Sequence, residues 1–298
     1  MSRPRLFCEF PAGLASVSLR LQGGATMRPP ISRMGNKAGY SKIILGVLGL
    51  HSGQGAGAYW WAEADQDVAA LLRIYPDPVA LLEVARIIRG WSDEEPRALW
   101  ERLRAERRER GSRSDPGGVA EYAFLHQGSF QHKGPEAGIG RPEGIPDGMD
   151  GHGAARPVAS ILGDAFPRLA DRGWPPVRVS PSIPTAAEVS AAIGTPGDLE
   201  GCIVYSDPPY INTTGYGHNL SRAAVVAMAR DFSAMGATVA ISEQTPISEL
   251  DGWESVEISD GRVGAKRTFS AQKREYLTMN RTPGFKIPTQ YNLLGASE

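Results

Sequence analysis

The sequence is poor in cysteine and has no long apolar run, and each absence excludes classes of protein. It contains 2 cysteines among 298 residues, too few for a disulfide framework or a cysteine-rich zinc site. No apolar run reaches the roughly 18 residues that a membrane-spanning helix needs. Charged residues interrupt the apolar stretch after Met1, so no signal peptide is evident. We therefore expect a soluble intracellular protein that does not bind a membrane.

The chain also lacks a large net charge of either sign. Its 32 Lys and Arg residues balance 33 Asp and Glu residues, for a formal net charge of -1. This balance excludes a protein that binds polyanions by bulk charge alone, so any nucleic-acid site must be a local patch. What the sequence has in abundance is glycine and proline, 35 and 23 residues, which predict many loops and turns rather than a helical bundle.

Hydrophobic patterning predicts strands and helices that alternate along most of the chain. In the first part, the pattern predicts a strand and a helix within 5–23, a helix over 41–50, a strand within 58–67, and a proline-interrupted helix over 67–91. In the last part, it predicts an extended segment at 175–184, helix 185–193, strand 201–210, helix 221–236, and strands at 237–244, 253–259 and 274–281. Alternation at this spacing implies an α/β sheet.

Two segments between these elements are harder to interpret. The charged segment 93–113 is typical of a solvated helix whose basic end complements the helix dipole, but the same cations could contact phosphate. The segment 122–153 begins with aromatic residues and then becomes so rich in glycine and proline that it predicts a long loop. A long loop in a compact domain is usually functional or mobile.

One tetrapeptide, Asp207-Pro208-Pro209-Tyr210, carries the clearest chemical signal, and it directly follows an apolar strand. In an open α/β sheet, ligands bind at the carboxyl ends of strands, where this tetrapeptide is expected. The prolines fix two φ angles and remove two N–H donors, which leaves a rigid Pro208 carbonyl as an acceptor. With the Asp207 carboxylate and the flat Tyr210 ring, it suits a planar group with an exocyclic amine, such as adenine. The alternative is a simple proline turn, in which Asp207 is a cap and Tyr210 packs.

The surrounding segment, YSDPPYINTTGY, resembles the catalytic motif of the Dam-type DNA adenine-N6 methyltransferases, which use S-adenosylmethionine. The family's WAGGK cofactor loop is similar to RMGNK in this chain, and its strand ending ADIN is similar to YWWAEADQD. Its late strands and the basic loop between them are similar to VAISEQ and KRTFSAQKREYLTMNR. Its DNA-contacting segment is similar to FLHQGSFQHKG. The resemblance implies an α/β, Rossmann-like methyltransferase sheet with helices on both faces. The catalytic domain would comprise 1–67 and 186–298, and 68–185 would be an inserted, mainly helical and loop-rich target-recognition region.

The resemblance also implies site residues and partners. The expected catalytic residues are Asp207, Pro208, Pro209 and Tyr210. The expected cofactor-binding residues are Glu9, Gly13, Gly35, Lys37, Glu63 on the ribose hydroxyls, and Asp207. The expected contacts to double-stranded DNA are Gln127, His132, Lys133, Thr214, Tyr216, Arg262, Lys266 and Arg267, although the cations at 262–267 could also belong to a solvated loop. No metal is expected, because the histidines at 126, 132 and 152 have no cysteine or acid at ligand spacing.

Two glycine-containing segments compete for the cofactor loop, which in the family follows the first strand and reads like EPFVGAGSV. The segment 53–58 fits G-x-G-x-x-A, but Glu63 follows Gly53 by only 10 positions (63 minus 53), too few for a strand, a loop and a helix before the acid. The segment 9–16 fits better, because Glu9 and Gly13 match the family pattern after an apolar strand. This choice places RMGNK after the cofactor loop, whereas the family has it before. As a dinucleotide fingerprint, 53–58 would instead indicate an NAD-dependent enzyme.

Other functions remain open at this point. An RNA adenine or a protein glutamine presents a similar planar amine or amide, although glutamine enzymes of this kind usually carry Asn where Asp207 stands. A third hypothesis is a DNA-binding protein that keeps the fold without turnover. The resemblance implies a modification enzyme in the cytoplasm of a bacterial or phage-infected cell. The sequence determines neither the recognition sequence, nor a partner nuclease of a restriction-modification pair, nor the oligomeric state.

Overall fold

The computed structural model describes residues 2–32, 37–129, 134–136, 139–140, 145–146, 155–208, 220–259 and 274–281. Its strands are β1 (Leu6–Glu9), β2 (Tyr59–Ala62), β3 (Ile145–Pro146), β4 (Ala155–Arg156), β5 (Val177–Ser180), β6 (Cys202–Ser206), β7 (Thr238–Glu243), β8 (Glu254–Glu257) and β9 (Tyr276–Met279). Its helices are α1 (Ser16–Gly23), α2 (Ser41–Val47), α3 (Gln66–Ile74), α4 (Pro78–Arg89), α5 (Pro96–Arg110), α6 (Pro116–Gln127), α7 (Val158–Ala170), α8 (Ala186–Ala192) and α9 (Arg222–Ala234), and a short 3₁₀ helix spans Lys37–Gly39. Within these ranges, no helix is both long and apolar enough to cross a membrane.

Seven strands form one sheet in the order β5-β2-β1-β6-β7-β9-β8. Neighbouring strands from β5 to β7 are parallel, whereas β9 runs antiparallel to both β7 and β8. Counted along the chain without the separate hairpin of β3 and β4, the order is 3-2-1-4-5-7-6. This is the strand order of a Rossmann-like methyltransferase sheet, so the predicted fold class is confirmed.

Helices pack on both faces of this sheet. Successive side chains of a strand point to opposite faces, so neighbouring residues contact different helices. Leu6 and Cys8 of β1 belong to a core cluster that includes residues of α8 and α9. On the other face, the indole N–H of Trp61 donates to Ser18 Oγ of α1 at 2.9 Å. Strands β1, β2, β6 and β7 are buried along their whole length, as expected of a parallel sheet that is covered on both sides.

The chain divides into two compact units. The first comprises Met1–Thr26, Lys37–Glu63 and Pro175–Glu298, and the second comprises Met27–Asn36 and Ala64–Trp174. The first unit contains β5, which the sequence analysis placed in the inserted region 68–185. Because β5 pairs with β2 along four residues, from Val177 opposite Tyr59 to Ser180 opposite Ala62, the boundary moves from 185 to 174. Target recognition by the second unit stays a prediction.

Helix formation in the second unit differs from the sequence analysis in two places. Residues 122–127 continue α6 instead of opening a loop, because Pro116 begins this helix and the Asp115 side chain accepts from Gly118 N at 2.7 Å. The sequence analysis made no prediction for α7, whose buried residues include Leu162, Phe166 and Leu169 at helical spacing. Residues 122–127 therefore do not belong to the predicted long loop, most of whose remaining residues lie outside the described part of the chain.

The cations of α5 are only partly solvated. Arg107 is buried, pairs with Asp67 of α3, and donates to Ser112 Oγ at 2.8 Å. Arg110 of the same helix pairs with the buried Glu121 of α6. Buried charges are usually paired in this way, since an unpaired one is costly. Part of the charge in 93–113 therefore holds α3, α5 and α6 together, a role that neither the solvated-helix nor the phosphate hypothesis assigned.

Candidate active site at the carboxyl edge of the sheet

The strand order predicts a ligand-binding crevice at the carboxyl ends of β1 and β6. On one side of β1 the sheet continues with β2 and β5, and on the other side it continues with β6 and β7, so the order reverses between β1 and β6. In open α/β sheets, ligands bind at such a switch point. Glu9 ends β1 and Asp207 directly follows β6. The two predicted site residues therefore flank the point where a ligand is expected.

Glu9 holds the helix that follows it. The N-cap residue of α1, Ala15, has no side-chain oxygen, so the first N–H groups of this helix need another acceptor. Glu9 Oε1 accepts from Val17 N at 3.3 Å, and Oε2 accepts from Ser18 N at 2.9 Å and Ser18 Oγ at 2.6 Å. Burial nevertheless raises the pKa of Glu9 to about 7. The structure gives Glu9 a capping role, and its direct contact with a cofactor stays a prediction.

The loop after β1 reaches the end of β2. Gly13 has a φ of 51°, and it donates its backbone N–H to Glu63 Oε2 at 2.9 Å. A Cβ built on Gly13 would meet no atom within 4 Å, so there is open space beside the loop. Glu63 is buried and directly follows β2. A carboxylate at this position, next to a glycine-containing loop, can accept from the hydroxyls of a ribose.

Lys37 connects the predicted cofactor segment with the predicted catalytic motif. Its Nζ lies 2.6 Å from Asp207 Oδ1, and the Lys37 side chain is 6% exposed. Burial disfavours the charge on Lys37, but the carboxylates of Asp207 and Glu275 outweigh burial and raise the pKa of Lys37. Burial raises the pKa of Asp207, and the Lys37 ammonium limits that rise. The site therefore holds a close ion pair.

Two carboxylates that the sequence analysis did not single out lie at the same edge. Glu275 Oε1 is 3.6 Å from Lys37 Nζ, and the buried Glu243 ends β7. Glu275 reaches this edge because β9 is antiparallel, so its first residue, Tyr276, pairs with Glu243, the last residue of β7. The sequence shows that Glu275 directly precedes the last predicted strand. It does not show that this strand is antiparallel to β7, which is what places Glu275 at this edge.

Among the residues that the structure describes, this edge carries more acidic than basic groups. Asp207, Glu243 and Glu275 lie there with two cations, Lys37 and Arg222, whose Nη1 is 3.3 Å from Glu243 Oε1. Burial raises the pKa of Glu243, against a backbone hydrogen bond from Gln244 and the charge of Arg222. An acidic excess in a partly buried site stabilises a cationic ligand or a positive charge that develops during a reaction.

The competing glycine-containing segment, 53–58, lies elsewhere. It precedes β2 and follows α2, so it leads into the amino end of a strand. Gly57 has a packing role, since a Cβ at this position would approach Arg5 O to 2.5 Å. A dinucleotide fingerprint requires a strand before the glycines and a helix after them. The structure therefore contradicts the NAD hypothesis for 53–58 and leaves 9–16 as the loop after the first strand.

The remaining predicted site residues are only partly described. Pro208 directly follows Asp207 and is buried. Gln127 is also buried, and its side-chain oxygen accepts from Ser32 N at 2.9 Å, so it holds a loop within the second unit. A base contact by Gln127 stays a prediction, and it would require this hydrogen bond to open. The others lie outside the described residues: Gly35, His132, Lys133, Pro209, Tyr210, Thr214, Tyr216, Arg262, Lys266 and Arg267.

Comparisons with known proteins do not assign the chain to a family. No protein-family model matches it, and no curated protein sequence matches it significantly. The chain is similar to two solved structures of the rRNA methyltransferase aviRa from Streptomyces viridochromogenes, at 2.4 Å and 1.5 Å resolution. Each similarity covers 93% of this chain and 77% of the aviRa chain, at 14% sequence identity. Their TM-scores of 0.32 and 0.31 are too low to show a shared fold. The fold class is shown by the strand order.

Proposed function

We propose that the protein transfers a methyl group from S-adenosylmethionine to the N6 nitrogen of an adenine in double-stranded DNA. The observation that carries the proposal is the 2.6 Å ion pair between Lys37 Nζ and Asp207 Oδ1, at the switch point of the sheet. These residues are 170 positions apart in the sequence. They belong to two segments that resemble the methyltransferase family separately, one at the cofactor loop and one at the catalytic motif. Their contact is what a shared active site requires.

The described residues fit S-adenosylmethionine as the methyl donor. Gly13 and Glu63 would hold the adenosine part at the ends of β1 and β2. The methyl group would lie near Asp207, directly after β6, and β6 is two strand spacings or about 10 Å from β2. When bound, the cofactor supplies an electrophilic methyl carbon.

Asp207 and the Pro208 carbonyl would position the target amine. Each would accept one N–H of the adenine amino group, which directs the nitrogen lone pair toward the methyl carbon and stabilises the positive charge that develops on nitrogen. The lone pair forms the new N–C bond, while the C–S bond breaks and its electron pair stays on sulfur. The nitrogen then loses one proton, which Asp207 accepts and releases to water. Positioning supplies much of the rate, because the methyl donor is already activated.

Duplex DNA as the acceptor requires that the adenine leave the base stack. Flipping a base costs about a few kcal/mol, and stacking on Tyr210 would recover roughly 1–3 kcal/mol of this cost. Arg262, Lys266 and Arg267 would contact the phosphates on either side of the site. We include Tyr210, Arg262, Lys266 and Arg267 because they lie in or next to segments that resemble the family. A cytoplasmic location, where DNA and S-adenosylmethionine meet, belongs to the same proposal.

Methyl transfer to separate acceptors tests this function. The purified protein would be incubated with methyl-labelled S-adenosylmethionine and either duplex DNA, RNA or a glutamine-containing peptide. Label recovered from DNA as N6-methyladenine is the expected result. Label in RNA or peptide alone would show that the acceptor is RNA or protein and not DNA. Cofactor binding without label in any acceptor would indicate a binding protein without turnover. Glu254→Gln changes an exposed acid at the far end of β8. It is the control variant and should methylate the same acceptor as the wild type.

A further inference from the structure

We infer that Glu275 is a positioning residue that takes over Lys37 from Asp207 when the target amine binds. The inference rests on the proposed function, because it concerns how Asp207 becomes available to that amine. Glu275 is buried and directly precedes β9, and the sequence analysis gave it no role within the segment KRTFSAQKREYLTMNR. Its carboxylate and that of Asp207 share one ammonium group, at 3.6 Å and 2.6 Å from Lys37 Nζ.

The geometry leaves Lys37 a second partner close to the first. Asp207 Oδ1 already accepts from Lys37, so an incoming amine competes with this ammonium for the carboxylate. A buried ammonium that loses its partner is strongly destabilised unless another carboxylate replaces it. Charge-assisted hydrogen bonds span about 2.7–2.9 Å, so a movement of about 1 Å would bring Lys37 into full contact with Glu275.

The backbone around Glu275 is held independently of Lys37. Its N–H donates to Ser259 Oγ at 2.9 Å, and its carbonyl accepts from Ile258 N at 2.7 Å. The next residue, Tyr276, begins the ladder with β7 and β8. Glu275 is therefore fixed by the sheet, whereas Lys37 reaches the site on a long side chain from a short 3₁₀ helix. The mobile partner in the exchange is Lys37.

The same movement would prepare Asp207 to accept a proton. In the part of the chain that the structure describes, the ionisable groups near Asp207 are Lys37 and Glu275, together with Glu9 of β1, Glu243 of β7, Tyr205 of β6 and, beyond Glu243, Arg222 of α9. When the Lys37 ammonium moves to Glu275, the acidic neighbours remain, and the proton affinity of Asp207 increases. The proton that the methylated nitrogen loses then passes to Asp207 and on to water, and Lys37 returns to the ionised carboxylate.

Glu275→Gln tests the inference through kinetics. The variant keeps the size of the side chain but removes the charge that receives Lys37, so kcat should fall about 10-fold to 100-fold. The KM for DNA and the Kd for S-adenosylmethionine should stay within about threefold, because the proposal gives Glu275 no contact with either ligand. The acid limb of the kcat profile should move to lower pH, since Lys37 stays on Asp207. A purely structural role would not move this limb. Glu254→Gln is the control.

A second readout does not depend on turnover. In protein with ¹³C-labelled aspartate carboxyls, the Asp207 carboxyl should titrate at lower pH in Glu275→Gln than in the wild type, and at an unchanged pH in Glu254→Gln. Glu275→Asp keeps the charge but withdraws it by one methylene, and should lose less kcat than Glu275→Gln. A wild-type kcat in both Glu275 variants, or an unmoved Asp207 titration, would overturn the inference. Failure of the wild type to methylate any acceptor would overturn the proposed function, while the titration still tests the shared charge.

Discussion

The backbone N–H of Gly13 donates to Glu63 Oε2 at 2.9 Å, which ties the loop after β1 to the residue that directly follows β2. The two residues are 50 positions apart and meet because β1 and β2 are parallel neighbours whose carboxyl ends share one edge. The carboxylate is thereby oriented by the loop beside it. A ligand that bonds to Glu63 would find an acceptor that is already positioned.

Glu63→Ala should weaken S-adenosylmethionine binding. It removes both the expected ribose acceptor and the partner of Gly13 N. Hydrogen bonds to a charged group contribute about 1.5–3 kcal/mol, so the Kd should rise about 10-fold to 100-fold. Isothermal titration calorimetry with the cofactor measures this change, with the exposed Glu200→Ala as a control. An unchanged Kd in Glu63→Ala would remove Glu63 from the cofactor site.

Lys37→Met should change both the pH dependence of the reaction and the stability. Burial raises the pKa of Asp207 and Lys37 limits the rise, so without the ammonium the Asp207 pKa rises further and the acid limb of kcat/KM moves to higher pH. Removal of one partner from a buried ion pair also lowers the free energy of unfolding, typically by about 3–5 kcal/mol. Lys37→Arg keeps the charge and should retain the wild-type limb. An acid limb that stays in place in Lys37→Met would contradict the assignment.

Glu9→Gln should remove a pH-dependent part of the stability. The pKa of Glu9 rises from 4.5 to about 7 on burial, so the folded state binds this proton more tightly than the unfolded state. The contribution of Glu9 to the free energy of unfolding is therefore largest below the unfolded pKa and falls as the pH rises toward 7. The difference between wild type and variant should change by about 3 kcal/mol over this range. Urea unfolding at pH 4, 5, 6, 7 and 8 measures it, and parallel curves would refute the expectation.

Arg107 and Arg108 offer a matched test of the second unit, since they are neighbours on α5 with opposite surroundings. Arg107 is buried against Asp67 and Glu121, whereas Arg108 is exposed and 4.0 Å from Glu136. Arg107→Met should lower the free energy of unfolding by about 3–5 kcal/mol because it removes the arginine that pairs with the half-buried Asp67 carboxylate. Arg108→Met should change it by less than about 0.5 kcal/mol. Equal effects in urea unfolding would show that the Arg107 ion pairs contribute nothing specific.

The sequence predicted the parts of the fold and of the candidate site that depend on local pattern. Apolar runs bounded by turn residues predicted β1, β2, β6 and β7, and the acid that follows a strand predicted where Glu63 and Asp207 would lie. The proline after Asp77 and the Thr185 capping box mark helices whose beginnings can be read from a few residues.

The parts that were missed depend on contacts between distant segments. Glu275 joins the site through the antiparallel direction of β9, and Arg107 is buried through its pairing with Asp67, 40 positions away. Sequence spacing favoured 9–16 over 53–58 as the cofactor loop, and the structure supports this choice because 9–16 follows a strand end and 53–58 does not. The inclusion of β5 in the sheet followed from its pairing with β2, which its short, half-buried sequence does not indicate.

The measurement that tests the central claim most directly is the amount of N6-methyladenine that Asp207→Ala forms in duplex DNA, determined by mass spectrometry of the digested nucleosides. The account predicts that methylation falls at least about 10³-fold, because the acceptor that positions the amine is lost, while the Kd for S-adenosylmethionine stays within about tenfold of the wild-type value. Retained cofactor binding shows that the variant is folded. An Asp207→Ala protein that methylates adenine at the wild-type rate would contradict the account.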